Sequence, residues 1–265
     1  LLAREARTRR ALGGWAALAL ASALTLSPWF AYNYVYLGQF TLSPAGGIGR
    51  GLWEGSWQGR WPGRVQARLT LLADESPSRD ALDAGVNTVA AETGLPVAPM
   101  REYVHEWRDI HDMWDSPTDP AERARARVVA DGEYLKAALA HMREDPVGHV
   151  IRRATTGAFV LWAAETPIRY SQVNQTPVVV IRAIWALQVL LLGVAAFGAV
   201  RLARSGRWIE TVVLVLPLVY VTGVHLPLLC EARQSLPVKP LVLTLAAIAF
   251  TTKVTKDTKG PKLTG

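Results

Sequence analysis

From Ala11 to Tyr36 the chain carries no charged side chain, and Arg4, Arg7, Arg9 and Arg10 stand immediately before that run. A helix needs about 20 mostly apolar residues to cross the hydrocarbon core of a bilayer, so this stretch alone sets aside most soluble folds. Half of the residues are hydrophobic while the net charge is +7. The apolar residues are gathered in blocks instead of being spread over amphipathic elements. The sequence predicts an all-α membrane protein with about four transmembrane helices and a mainly helical extracytoplasmic segment.

The expected organisation is a cytoplasmic loop or tail at residues 1–10 and a transmembrane helix at 11–37. An extracytoplasmic segment comes next at 38–176, then transmembrane helices at 181–202, 209–228 and 236–252 and a cytoplasmic tail at 253–265. The last span is short, has Pro237, Lys239 and Pro240 in its first turns, and is expected to start near Pro240. Orientation is set by Lys and Arg in short flanking loops, which resist translocation. Four spans put the leading arginines, Arg201, Arg204 and Arg207, and Lys253, Lys256, Lys259 and Lys262 on one side, the cytoplasmic one. Trp29, Trp185 and Trp208 fall near span ends, where the indole ring prefers the headgroup region.

Topology accounts for the basic clusters, and no nucleic-acid motif is present, so nucleic acid is not an expected partner. Cys230, the single cysteine, cannot form an internal disulfide and falls in a predicted outer loop. The arginines and Ala21-Ser22-Ala23 also fit a secretory signal peptide, but the apolar run continues well past Ala23, which favours a span. The first residue is Leu, and the expectation is a sequence that begins inside a longer protein.

Within the outward segment, residues 40–72 are rich in Gly and Trp and read as loops and tight turns, with a short strand at 65–71. Trp53, Trp57 and Trp61 fit either an interfacial anchor or the wall of a polar-ligand site. The glycines match neither a phosphate-binding Walker loop nor a dinucleotide fingerprint. Helices are expected at 78–93, 97–114, 119–144 and 146–164, the third opened by Asp119-Pro120 and the fourth by Asp145-Pro146. In the fourth, Val150, Ala154, Ala158, Leu161 and Trp162 recur at helical spacing, and with Arg152 and Arg153 the helix is expected to lie along the outer membrane surface or to enter it. His105, Glu106, Asp109, His111, Asp112 and Asp115 form a cluster in which only His105 and Asp109 have the four-residue spacing of two ligands on one face. A solvated acidic face is the expected reading, and no metal ligands are assigned. Glu122 with Arg123, Arg125 and Arg127 reads as surface charge.

Ser27-Pro28-Trp29-Phe30-Ala31-Tyr32-Asn33-Tyr34, the Gly38-Gln39-Phe40 turn and the Gly46-Gly47 loop leading to Leu52-Trp53-Glu54-Gly55 together resemble the integral-membrane glycosyltransferases of the GT-C class, in the branch of the protein mannosyltransferases and the lipid A aminoarabinose transferase. Tyr134 to Pro146, then Arg152 or Arg153 and Trp162, continue the likeness. Glu231-Ala232-Arg233-Gln234-Ser235-Leu236-Pro237-Val238-Lys239-Pro240 resembles the Glu-x-Arg-Tyr-x-Leu-Pro lead-in to a late helix. The chain departs from the pattern at Tyr32, where the family has Arg, at Gln234, where it has Tyr, and at Lys239.

The likeness covers the C-terminal half of such an enzyme, whose catalytic acid would come from an earlier loop. It implies transfer of a sugar from a polyprenyl-phosphate-linked donor to an acceptor at the outer face of a bacterial inner membrane, with the lipid bilayer as second partner. Attack at the anomeric carbon needs a carboxylate and a stabilised leaving phosphate. Arg233 is the residue implied for the phosphate, and Asn33, Trp53 and Glu54 for the donor or acceptor pocket. No catalytic residue and no cofactor is identified, and a divalent metal is compatible with the chemistry. The alternative is a non-enzymatic membrane-anchored scaffold or assembly protein. A transporter fits less well, because no span carries a run of ionisable residues.

Overall fold

The structure, a computed structural model, describes residues 2–37, 48–164 and 176–251. The Gly38–Phe40 turn, the Gly46-Gly47 loop and the lysine tail lie outside the described residues. Every regular element among the described residues is helical, and the chain divides into two compact units, Leu1–Glu54 with Trp61–Glu144 and Gly55–Arg60 with Asp145–Gly265.

In the first unit, helix α1 (Leu2–Leu37) is continuous over 36 residues. The residues expected as a cytoplasmic loop or tail at 1–10 are helical from Leu2, in keeping with their Ala, Leu, Arg and Glu content and lack of Gly and Pro. Helices α2 (Gly49–Trp57), α3 (Gly63–Glu75), α4 (Arg79–Thr93), α5 (Val97–Asp115) and α6 (Pro120–Glu144) come after it. Two sequence expectations fail here. The Gly-Trp stretch contains a helix, α2, whose first turn is held by Asp131: its carboxylate accepts the Gly49 and Arg50 backbone N–H groups at 3.1 and 3.0 Å, satisfying donors that a helix start leaves open. The strand expected at 65–71 is part of α3, with Leu69 and Ala73 buried one turn apart.

The later helices begin where their caps stand. The Ser78 hydroxyl accepts the Ala81 N–H at 3.2 Å and Gly94, at φ +68°, closes the other end of α4, the left-handed cap that glycine adopts without penalty. Asp119 accepts the N–H groups of Ala121 and Glu122 at 2.9 and 2.8 Å, with Pro120 in the first helical position. Leu82, Val86, Val89 and Ala90 form the buried stripe of α4, and with Leu69, Met100, Val104 and Ala138 they make a core that is shared with aromatic rings.

The second unit starts with a helix in three parts: α7 (Pro146–Arg152), a π-turn at Arg153–Gly157 and α8 (Ala158–Ala163). Asp145 caps it, accepting the Gly148 N–H at 2.9 Å. Helices α9 (Val178–Arg204) and α10 (Trp208–His225) are long and apolar enough to cross a membrane, and they are the two such helices among the described residues. Leu187, Leu190, Phe197, Ile209, Val213 and Tyr220 are exposed on them, an apolar surface that soluble monomers rarely show.

A 3₁₀ segment (Ala232–Val238) leads into α11 (Lys239–Phe250). At 12 residues α11 is about 18 Å long, short of the ~30 Å hydrocarbon core, so the stretch expected as a fourth span at 236–252 is only partly regular α-helix. Pro237 lies within the 3₁₀ segment and the α-helix opens at Lys239-Pro240. Helices α9 and α11 meet backbone to backbone: a Cβ at Gly198 would stand 1.9 Å from the Leu245 carbonyl oxygen, a close approach that only a residue without a side chain permits. Ala195, Val242, Leu245 and Ala246 form the core of this contact, and Arg201 donates to the Ala249 carbonyl at the end of α11 at 2.8 Å.

Candidate functional site

Among the described residues, each unit buries a polar hub. In the first unit the hub is built on Trp53, which is fully buried. Its ring stacks on Tyr103 at 5.4 Å between centroids and leans on Tyr134 at 5.1 Å. The indole Nε1–H donates to Glu106 Oε2 at 2.7 Å. The other oxygen of Glu106 lies 3.2 Å from His141 Nε2, and Glu102 Oε1 lies 3.5 Å from the same nitrogen. His141 is 3% exposed. Burial raises the Tyr103 and Tyr134 hydroxyl pKa values, so both phenols stay neutral in this core.

Glu54 pairs with Arg50 at 3.0 Å one turn away, and the Arg50 guanidinium sits 5.3 Å from the ring centres of both Trp107 and Trp114. The His105 cluster divides by side. His105 meets Asp83 at 3.0 Å and Asp109 pairs with Arg79, a charge strip between α4 and α5, whereas Glu106 turns inward to Trp53. Arg127 lies over Trp114 at 5.4 Å, so it is more than surface charge. Asn33, on α1, is fully buried.

In the second unit the hub is Arg153, 4% exposed. Nε donates to the Leu226 carbonyl at 2.7 Å, and Nη1 donates to Gln58 Oε1 at 2.7 Å and the Gly55 carbonyl at 3.3 Å. Nη2 donates to the Leu228 carbonyl at 2.5 Å and to Cys230 Sγ at 2.9 Å. Gln58 closes the ring, accepting the Cys230 N–H at 3.1 Å and donating to its carbonyl at 2.8 Å. Two glycines make the space. A Cβ on Gly157 would stand 2.9 Å from the guanidinium carbon, and one on Gly55 would stand 2.7 Å from the Leu228 carbonyl carbon. Arg153 is therefore buried among backbone carbonyls. Burial raises the Cys230 thiol pKa, an effect the neighbouring guanidinium opposes, and lowers that of Arg153.

The segment that Arg153 grips continues into the turn carrying Arg233. Glu231 and Gln234 cap that turn reciprocally. Arg233 points outward with its side chain 77% exposed and holds Glu231 Oε2 through Nε at 2.8 Å and Nη2 at 2.7 Å. Lys239, the cation that breaks an apolar stretch in the sequence, donates to the Trp162 carbonyl at 2.9 Å and to Gln188 at 3.1 Å. An apolar groove of about 620 Å³ runs between α9, α10 and α11, with Trp162, Thr222 and Gly223 in its lining.

Of the four residues implied for substrate, Trp53, Glu54 and Asn33 thus belong to the first unit and Arg233 to the second. Sequence reasoning missed the His141–Glu102–Glu106 convergence and the Arg153 grip. The four-residue spacing of Glu102 and Glu106, and of Arg153 and Gly157, was the signal present for each. Compared with known proteins, the chain matches no family model, no curated protein and no solved structure.

Proposed function

We propose that this chain is part of a membrane glycosyltransferase that moves a sugar from a polyprenyl-phosphate-linked donor to an acceptor at the outer face of a bacterial inner membrane. It crosses four times, with the basic clusters on the cytoplasmic side. The observation that carries the reading is the junction in the second unit, where an apolar groove suited to a hydrocarbon chain has Trp162 and Thr222 in its lining. Lys239 is bonded to that same Trp162. Arg233 stands six residues before Lys239 on the 3₁₀ turn, about 12 Å at the rise of such a helix. A lipid phosphate needs this sequence of environments: hydrocarbon, then a cation at the water boundary.

Arg233 is the phosphate contact in this reading, and the Arg153 grip fixes the backbone from which its turn departs. In lipid-linked-sugar turnover by the full-length protein in proteoliposomes, Arg233→Ala lowers kcat/KM by about tenfold or more, the loss of roughly one charge-assisted hydrogen bond. Turnover equal to wild type removes Arg233 from the site, and absence of turnover in the wild type with any polyprenyl-phosphate sugar removes the transferase reading.

A further inference from the structure

The first unit holds a second chemical centre. We propose that Glu102, Glu106 and His141 bind a divalent transition-metal ion of the zinc type. The three ligand atoms lie within 4.8 Å of one another. His141 Nε2 is 3.2 Å from Glu106 Oε1 and 3.5 Å from Glu102 Oε1. Ligands at about 2.0–2.1 Å from a tetrahedral zinc are roughly 3.3 Å apart along the tetrahedron's edges, so the two imidazole–carboxylate separations match two of its edges. Two carboxylates and a neutral imidazole give the borderline donor set that suits such an ion.

Three further features distinguish this set from acids scattered on a surface. The imidazole is almost wholly buried, and its Nε2 is the nitrogen facing both carboxylates. Glu102 and Glu106 are one turn apart on α5 and His141 comes from α6, so the ligands come from two packed helices. Trp53 Nε1–H holds the far oxygen of Glu106 at 2.7 Å, the outer-shell bond that fixes a ligating carboxylate and aims its second oxygen. A groove of about 480 Å³ lined by Glu102, Glu106, Asp109 and Glu133 opens beside the triad. Lys136, which also lines it, is paired with Glu133, so Glu102, Glu106 and Asp109 give the ion its path in, and the groove leaves the fourth coordination position for water or a ligand.

The site is independent of the transferase reading, and its test reads metal, not sugar transfer. The full-length protein in detergent is stripped with chelator, dialysed against Zn²⁺, and assayed by elemental analysis and by competition with a chromophoric chelator. One equivalent is expected, with a rise in melting temperature on zinc addition. Glu102→Gln, at a partly exposed position, is expected to weaken binding by about tenfold or more, while Glu133→Gln in the same groove leaves it unchanged. Wild-type protein that retains no zinc and shows no melting shift overturns the proposal, and so does equal loss in the two variants, which would mean a diffuse acidic surface. If Glu102→Gln is poorly folded, stoichiometry and melting shift of the wild type decide alone.

Discussion

The two hubs solve the same problem with opposite chemistry. Around Trp53 a buried imidazole is met by two carboxylates next to an open groove. Around Arg153 a buried guanidinium is met by three backbone carbonyls, an amide oxygen and a thiol, and none of these partners is a carboxylate. A cation held by neutral acceptors has little chemistry to offer, because its donors are all committed. Its value is geometric: it ties residues 55–58 and 226–230 to one helix. A carboxylate pair beside an imidazole instead offers the donor atoms that a metal ion takes. One hub holds a residue that builds, and the other holds residues that can react.

The largest effect is expected from Arg153→Leu. Removing the guanidinium strips the Gly55, Leu226 and Leu228 carbonyls of their donor, and the expected loss is about 3 kcal/mol or more, read as a lowered melting temperature in micelles. A variant as stable as wild type would mean that the carbonyls find water and that the hub builds nothing. A smaller effect is expected on the other side. Trp53→Phe keeps the aromatic stack on Tyr103 and deletes the N–H to Glu106, so it should cost about 1–3 kcal/mol and spare the helical content seen by circular dichroism.

The smallest effect is local and set by pH. Burial, helped by the Arg153 and Arg152 charges, holds the His149 pKa below its ordinary 6.5, so the folded state favours neutral His149. Stability from this source is full above pH 6.5 and declines as the pH falls toward the lowered value. Asp145 is depressed below 3.8, first by its bond from Arg152 and next by the Gly148 N–H, and its contribution is lost only in stronger acid. Amide protection across 146–152 should therefore fall between pH 7 and pH 5, with the α10 amides unaffected. Unchanged protection over that range would mean that His149 titrates as it does in an unfolded chain.

The features legible in the sequence were local. Ser78, Asp119 and Asp145 each carry their own cap, so α4, α6 and α7 start at or within a residue of where the residues say. Long apolar runs define α9 and α10 by themselves. Helices α2 and α3 were hidden because their signals conflict. Val65, Ala67, Leu69 and Leu71 alternate as a strand would, while Leu69 and Ala73 also satisfy a helix, and only packing decides between the two periods. Trp53, Trp57 and Trp61 recur every four residues, yet the glycines among them speak for a loop. Gly55 is there to admit the Leu228 backbone, a contact about 170 residues distant that no local pattern encodes. The same holds for His141 and Glu106, and for Arg153, whose neighbour Arg152 does reach a partner at the helix start, Asp145 at 2.8 Å.

The π-turn at Arg153–Gly157 explains why the apolar spacing from Val150 to Trp162 misleads. The residues turned inward are His149, Arg153, Gly157 and Leu161, each four after the last. In an ordinary α-helix a strict step of four drifts by about 40° each time, and the wider winding of the π-turn takes up that drift. In plain α winding the eight residues from Arg153 to Leu161 would turn through about 800°, roughly 80° past two full turns, and the π-turn is what absorbs that excess. With one residue fewer the same pair would be seven apart, about 700° in plain α winding, and would still face inward within roughly 20°. A one-residue gap in this stretch is therefore expected to be absorbed by a return to ordinary α winding, whereas replacement of Gly157, where a Cβ would stand 2.9 Å from the Arg153 guanidinium carbon, is not.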